Sequence, residues 1–249
     1  LVASRAVTAY WHASRAPRYS VLFALPLFLL YEALAAGLSG DPGANVRNAA
    51  DVALKTPFLI FAGARGSLAF FATAIAVCVY IVGRDMMRNR ERLSLRVFGL
   101  MLGESAVLAL LLGVVVGSLT QRLLGLSILT QEGAPPLASL GSGTRLMLAL
   151  GAGLYEELLF RVLLVGGLAA GLRWLLGGQR VAAGVTAALI GALIFSAFHY
   201  VGEYGDQLEL ASFTYRAIAG LVFSALYLTR GFGVTAWTHA LYDVYVMVV

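Results

Sequence analysis

Charge is scarce in this chain: 12% of its 249 residues are Asp, Glu, Lys or Arg, against 60% that are hydrophobic, and the mean hydropathy is +0.84. A soluble domain carries about 25% charged residues, so a water-soluble globular class is excluded. Cysteine is nearly absent. Cys78 stands alone in an apolar run, which excludes a disulfide within the chain and leaves the redox compartment unread. There are only three histidines and no H-E-x-x-H, so the usual helix signature of a zinc peptidase is missing. No soluble domain, internal repeat or low-complexity tail interrupts the pattern. The net charge of +5 and the pI near 9.6 reflect basic membrane flanks, and no nucleic-acid partner is expected.

What the chain has instead is apolar length. Crossing a hydrocarbon core takes about 20 mostly apolar residues. Such runs fall near 20–39, 57–83, 97–119, 145–171, 181–200, 213–230 and 232–249. The fold class is therefore all-α, a polytopic transmembrane helical bundle of roughly seven to eight spans. One membrane domain covers 1–249, with general membrane helices over 20–144 and the chemistry-bearing helices over 145–249.

The first run follows Arg5, Arg15 and Arg18 and contains Ala33-Leu34-Ala35, yet it outlasts the apolar core of a signal peptide and reads as a span. Residues 1–19 form a surface-lying lead-in, with Pro17 at the entry and Pro26 at a kink. A turn cluster, Gly37 to Gly43, precedes an interfacial helix over 44–56. The arginine-rich loop 84–96 belongs in the cytoplasm by the positive-inside rule, and two spans earlier the N-terminus lies there too. Loops 120–144, with Pro135-Pro136, and 201–212, with Glu203, Asp206 and Glu209, fall on the other side.

An ionisable residue at bilayer depth costs several kcal/mol unless it is paired or wetted. The residues that bear this cost are Glu32, Glu104, Glu156, Glu157, Arg161, His199, His239 and Asp243. Positions four apart share a helix face, so Glu157 can pair with Arg161 as an internal staple, and Asp243 can orient His239. Glu156 lies about 100° around the axis from Glu157, so one arginine cannot serve both, and Glu156 needs another partner. A carboxylate and two histidines on three helices support two chemistries. Glu and His can activate water as a general base, with further donors for an oxyanion. Alternatively, Glu156, His199 and His239, with or without Asp243, can hold zinc and lower the pKa of its water. Spacing does not choose between them. Buried Glu, Asp and His also build proton relays, which keeps an ion- or proton-coupled transporter as an alternative.

Glu156-Glu157-x-x-x-Arg161, Phe195-x-x-x-His199 and His239-x-x-x-Asp243, in this order on separate apolar helices, resemble the motifs of the CPBP family. This family groups CAAX-prenyl-protease-like and bacteriocin-processing-like intramembrane proteases, and the likeness covers about 145–249. It implies an intramembrane endopeptidase in which Glu156 and His199 activate water, Glu157 and Arg161 hold their helix, Phe195 supports the site, and His239 and Asp243 serve the oxyanion. Many relatives carry Asn where Asp243 stands. A carboxylate donates only when protonated, so Asp243 is assigned to orienting His239. A metal-independent mechanism without cofactors is implied, with zinc as the alternative, and a non-catalytic immunity or scaffold member of the fold is a further possibility.

Residues 213–220 also look like a family segment, in which Arg216 is either cavity-lining or a snorkelling boundary residue. Glu32 and Glu104 match no motif and are expected to line the cavity or to bond neighbouring helices. The expected partners are the lipid bilayer and a membrane-associated protein or peptide substrate. The expected location is the bacterial plasma membrane, as a multi-pass integral protein. His199 ends a span that runs outward, so the site is expected nearer the non-cytoplasmic side.

Overall fold

The computed structural model describes residues 2–38, 46–89, 92–125, 140–202 and 205–248, and all regular structure among them is helical. In chain order the helices are α1 (Val2–Ser14), α2 (Pro17–Gly37), α3 (Ala49–Ala62), α4 (Gly66–Arg88), α5 (Leu95–Leu124), α6 (Ser142–Leu175), α7 (Arg180–Phe198), α8 (Leu210–Arg230) and α9 (Phe232–Met247). Helices dominate because lipid offers backbone N–H and C=O groups no partner, and a helix satisfies its own. Six stretches are long and apolar enough to cross a membrane, so the molecule is a polytopic helical bundle. The expected seventh span is α9, whose 16 residues reach about 24 Å, short of the hydrocarbon thickness. The turn cluster at Gly37 to Gly43 and the loop around Pro135-Pro136 lie largely outside the described residues.

One expectation is corrected. The apolar stretch Ala49–Arg88 is not an interfacial helix followed by a straight span from 57 to 83. It folds back at Gly63–Arg65, where Gly63 takes a left-handed φ of 55° that disfavours any residue with a Cβ. A Cβ on Gly66 would stand 2.5 Å from the Cα of Leu59. Seven residues along a straight helix would be about 10 Å apart. Phe58 and Phe70 meet edge to face across the hairpin, centroids 5.4 Å apart.

Polar contacts at the two ends fix the helix register. At one end, Arg18 pairs with Asp85 at 3.5 Å, Ser94 donates its N–H to the Tyr19 hydroxyl, and Gly233 donates to Ser20 Oγ. Arg230 there pairs with Glu104, and α1 is held down by Tyr10, Trp11 and Ser14, all of which meet that pair. At the other end, Arg145 donates to the Met247 carbonyl and Ser196 to the Phe213 carbonyl.

The closest helix contact that matters to the site is between α6 and α9. A Cβ on Gly153 would fall 2.5 Å from both the Ala240 Cβ and its backbone nitrogen. Small residues at such crossings let backbones approach in a membrane, where burying apolar surface from lipid gives little drive. Gly153→Ala is expected to destabilise the chain by about 1–3 kcal/mol through overpacking, read as a lower unfolding midpoint in detergent. Gly103→Ala, where no neighbouring helix comes within 4 Å, is expected to leave the midpoint unchanged or to raise it. Equal midpoints for the two variants would contradict the close approach.

Candidate active site

Helix α6 carries the adjacent carboxylates on an unusual turn. Across Ala152–Val165 it widens to π-helical winding, so that Gly166 donates its N–H to the Arg161 carbonyl five residues back. Such winding in place of α-helix is rare and recurs at functional sites. It leaves Glu156 and Glu157 buried but facing different neighbours.

Glu157 is fully buried (0% exposed) and divides its two oxygens. Oε2 stands 3.2 Å from Arg161 Nε, the i,i+4 pair read from the sequence. Oε1 accepts from His239 Nδ1 at 2.7 Å, a bond across 82 residues that spacing could not reveal. The Arg161 guanidinium lies over the rings of Phe195 and Phe223, 4.3 and 5.2 Å from their centroids. Its Nη2 donates to the Gly220 carbonyl at 3.4 Å. Arg161 thus ties α6 to α7 and α8, while Glu157 ties α6 to α9.

Glu156 has a different set of neighbours. Its Oε1 accepts a 2.8 Å hydrogen bond from Asn48 Nδ2, and its Oε2 is buried without a hydrogen-bond partner in the protein. Oε2 stands 3.9 Å from Nε2 of His199, the residue that closes α7. His199 Nδ1 bonds the Phe195 carbonyl at 2.8 Å. A carbonyl only accepts, so Nδ1 carries the hydrogen, and in the neutral ring Nε2 presents its lone pair towards Glu156. The His199 side chain is 26% exposed at the end of the bundle. Phe195 packs against both imidazoles, with ring centroids 4.9 Å from His199 and 6.3 Å from His239. His239 also stacks on Phe223 at 4.4 Å. Its Nε2 is 3.5 Å from Asp243 Oδ2, outside the usual hydrogen-bond range.

The structure brings together Glu156, Glu157, Arg161, Phe195, His199, His239 and Asp243. Glu104, Arg216 and Glu32, also named from the sequence, take other partners. Glu104 is bound to Arg230 and Tyr10 at the opposite end, so it lines no shared cavity. Arg216 pairs with Asp206 and lies over the Tyr200 ring, 5.1 Å from its centroid. Glu32 sits beside the site without entering it. It binds Lys55 at 2.7 Å and the Tyr155 hydroxyl, while Lys55 also reaches Asp51 at 2.7 Å and Asp51 accepts from Tyr31. Sequence reasoning missed Asn48 and Lys55. Asn48 before Ala49-Ala50-Asp51 carries a helix-cap signal, but nothing local points to Glu156. A cavity of about 490 Å³ lined by Leu22, Phe23, Pro26, Phe98, Gly99, Leu102 and Trp237 is apolar and contains none of these groups.

Removing one partner of a buried ion pair strands the other. Arg161→Ala is therefore expected to cost about 3–5 kcal/mol of stability. Thermal unfolding in detergent checks this, and an unshifted midpoint would contradict the role of Arg161 in holding Glu157.

No curated protein and no solved structure matches the chain. One family model does, described as type II CAAX prenyl endopeptidase Rce1-like, over residues 141–245. That segment holds α6 to α9 and every motif residue of the site, and leaves out Asn48, Glu32 and Lys55. Residues 141–245 are thus similar to the Rce1-like type II CAAX prenyl endopeptidase family, a likeness consistent with a CPBP family intramembrane protease.

Proposed function

We propose that the chain hydrolyses a peptide bond of a membrane-associated protein or peptide, with water activated by Glu156 and His199. The observation that carries this reading is the 3.9 Å gap between Glu156 Oε2 and His199 Nε2. Both atoms are acceptors, and a water about 2.8 Å from each fits beside them. Such a water gives one hydrogen to each and turns its lone pairs outward to a scissile carbonyl. As its oxygen attacks, a proton passes to Glu156, and the same proton later goes to the departing amine. Set between the carboxylates of Glu157 and Asp243, His239 acts as an imidazolium: Nδ1–H goes to Glu157, and Nε2–H, not tightly bound by Asp243, is offered to the oxyanion. Asp243 orients that ring.

Working without a metal is supported by the donor arrangement. His239 turns its two nitrogens to Glu157 and Asp243, and among the described residues no group of three His, Cys, Asp or Glu is arranged to hold an ion. This arrangement favours the metal-independent reading over a zinc set of Glu156, His199 and His239.

The side of the membrane follows from charge. Arg15, Arg18, Arg84, Arg88, Arg96, Arg173, Arg180 and Arg230 belong to the end where α2 begins and α8 stops. The positive-inside rule makes that end cytoplasmic. His199 closes α7 at the other end, so the site receives substrates from the non-cytoplasmic side, such as C-terminal anchors of exported proteins in a bacterial plasma membrane. A helical substrate must unwind locally before its carbonyl is reachable.

Glu156→Ala and His199→Ala are each expected to lower kcat by about 10²–10⁴-fold while the protein stays folded. Chelator treatment is expected to leave wild-type cleavage intact. Comparing membrane and secreted proteomes of cells with wild-type, Glu156→Ala or no gene gives the substrates. Normal processing by Glu156→Ala protein would reject the assignment, and chelator-sensitive cleavage restored by zinc would replace the mechanism with a metal one.

A further inference from the structure

We propose that Asn48, outside the segment that matches the protease family, is a positioning residue for Glu156, aiming its free oxygen at His199. This rests on Glu156 being the base that activates water.

Asn48 is the N-cap of α3. Its Oδ1 accepts the N–H of Ala50 at 2.9 Å and of Asp51 at 3.4 Å, which are donors that α3 itself leaves unpaired. Its Nδ2 donates to Glu156 Oε1 at 2.8 Å. The amide has only one workable orientation. Flipping it would press an NH₂ against two N–H donors and a carbonyl oxygen against a carboxylate oxygen. The helix cap therefore fixes which Asn48 atom meets Glu156, and that atom fixes which oxygen of Glu156 is occupied.

The consequence is an asymmetric carboxylate. Oε1 is held by the amide, and Oε2 is buried, without a protein hydrogen-bond partner, and faces His199 Nε2 across 3.9 Å. A glutamate side chain left free would sample several rotamers, and water placed by a wandering base reacts more slowly. Asn48 also links the two halves of the chain. The α3 start belongs to the hairpin that turns at Gly63, while Glu156 belongs to the π-helical turn of α6.

Capping and positioning separate by mutation, because Asp and Ser cap helices as well as Asn. Asn48→Asp keeps the cap but sets a second carboxylate oxygen against Glu156. Asn48→Ser keeps the cap but is too short to reach it. Both variants keep the α3 cap and are expected to stay folded, unfolding somewhat below the wild-type temperature because Glu156 Oε1 loses its donor. On a fluorescence-quenched farnesylated peptide ending in a CAAX sequence, both are expected to lose about 10²-fold in kcat with little change in KM.

A second readout needs no turnover. In purified full-length chain with ¹³C-labelled glutamate, the infrared carboxylate band that Glu156→Gln removes is expected to shift in Asn48→Ser. An unshifted band, or kcat within twofold of wild type in both variants, overturns the proposal. Wild-type protein that leaves the peptide intact counts against the endopeptidase reading on that substrate, and the infrared band still decides whether Asn48 holds Glu156.

Discussion

Glu157 is a carboxylate with no access to water or lipid, and its two oxygens are divided between Arg161 on its own helix and His239 on α9. An unpaired charge in this setting is prohibitive, and a paired one tolerable only with good geometry. The pairing imposes the close α6–α9 approach that Gly153 permits. It also turns the Arg161 guanidinium towards Glu157, Phe195 and Phe223. The neighbouring carboxylate is therefore left to an uncharged amide on one side and an imidazole lone pair on the other. A single-helix ion pair thus decides which of two adjacent glutamates keeps a free oxygen.

The rest of the membrane-buried charge follows the same economy with other partners. Lys55 sits between Glu32 and Asp51 over the rings of Tyr31, Phe70 and Tyr155, and Arg230 is matched by Glu104 under Trp11. These networks lock α2, α3 and α6 together on one flank and α1, α5 and α8 on the other. At the candidate site one oxygen is left over: Glu156 Oε2 has no hydrogen-bond donor in the protein and faces the partly exposed His199. Residual polar capacity at depth is what a hydrolytic site in a membrane needs, since it draws water where lipid would exclude it.

What local spacing encodes was readable and what tertiary contact encodes was not. The helical class came from apolar run length, and Glu157 with Arg161 came from a four-residue step on one helix. The same rule coupled His239 to Asp243, four residues away, yet the shorter bond runs to Glu157, because packing brings α9 closer to α6 than the ring is to its own next turn. The α3–α4 reversal was hidden because both arms are apolar, so composition ran on unbroken where Gly63 and Gly66 turn the chain. For Glu104 the sequence allows either a shared cavity or a bond to a neighbouring helix, since an isolated carboxylate in an apolar run looks the same in both cases; the structure gives the second, with Arg230 and Tyr10 as partners. Asn48 carried only its capping signal, since its contact to Glu156 spans 108 residues.

The most direct measurement of this division of labour is an experimental structure of the chain in lipid nanodiscs, at a resolution that shows ordered solvent. The account predicts a water within about 3.2 Å of both Glu156 Oε2 and His199 Nε2, with Glu157 contacted only by Arg161 and His239. Solvent at Glu157 instead, or a dry gap closed by a side chain between Glu156 and His199, would contradict it.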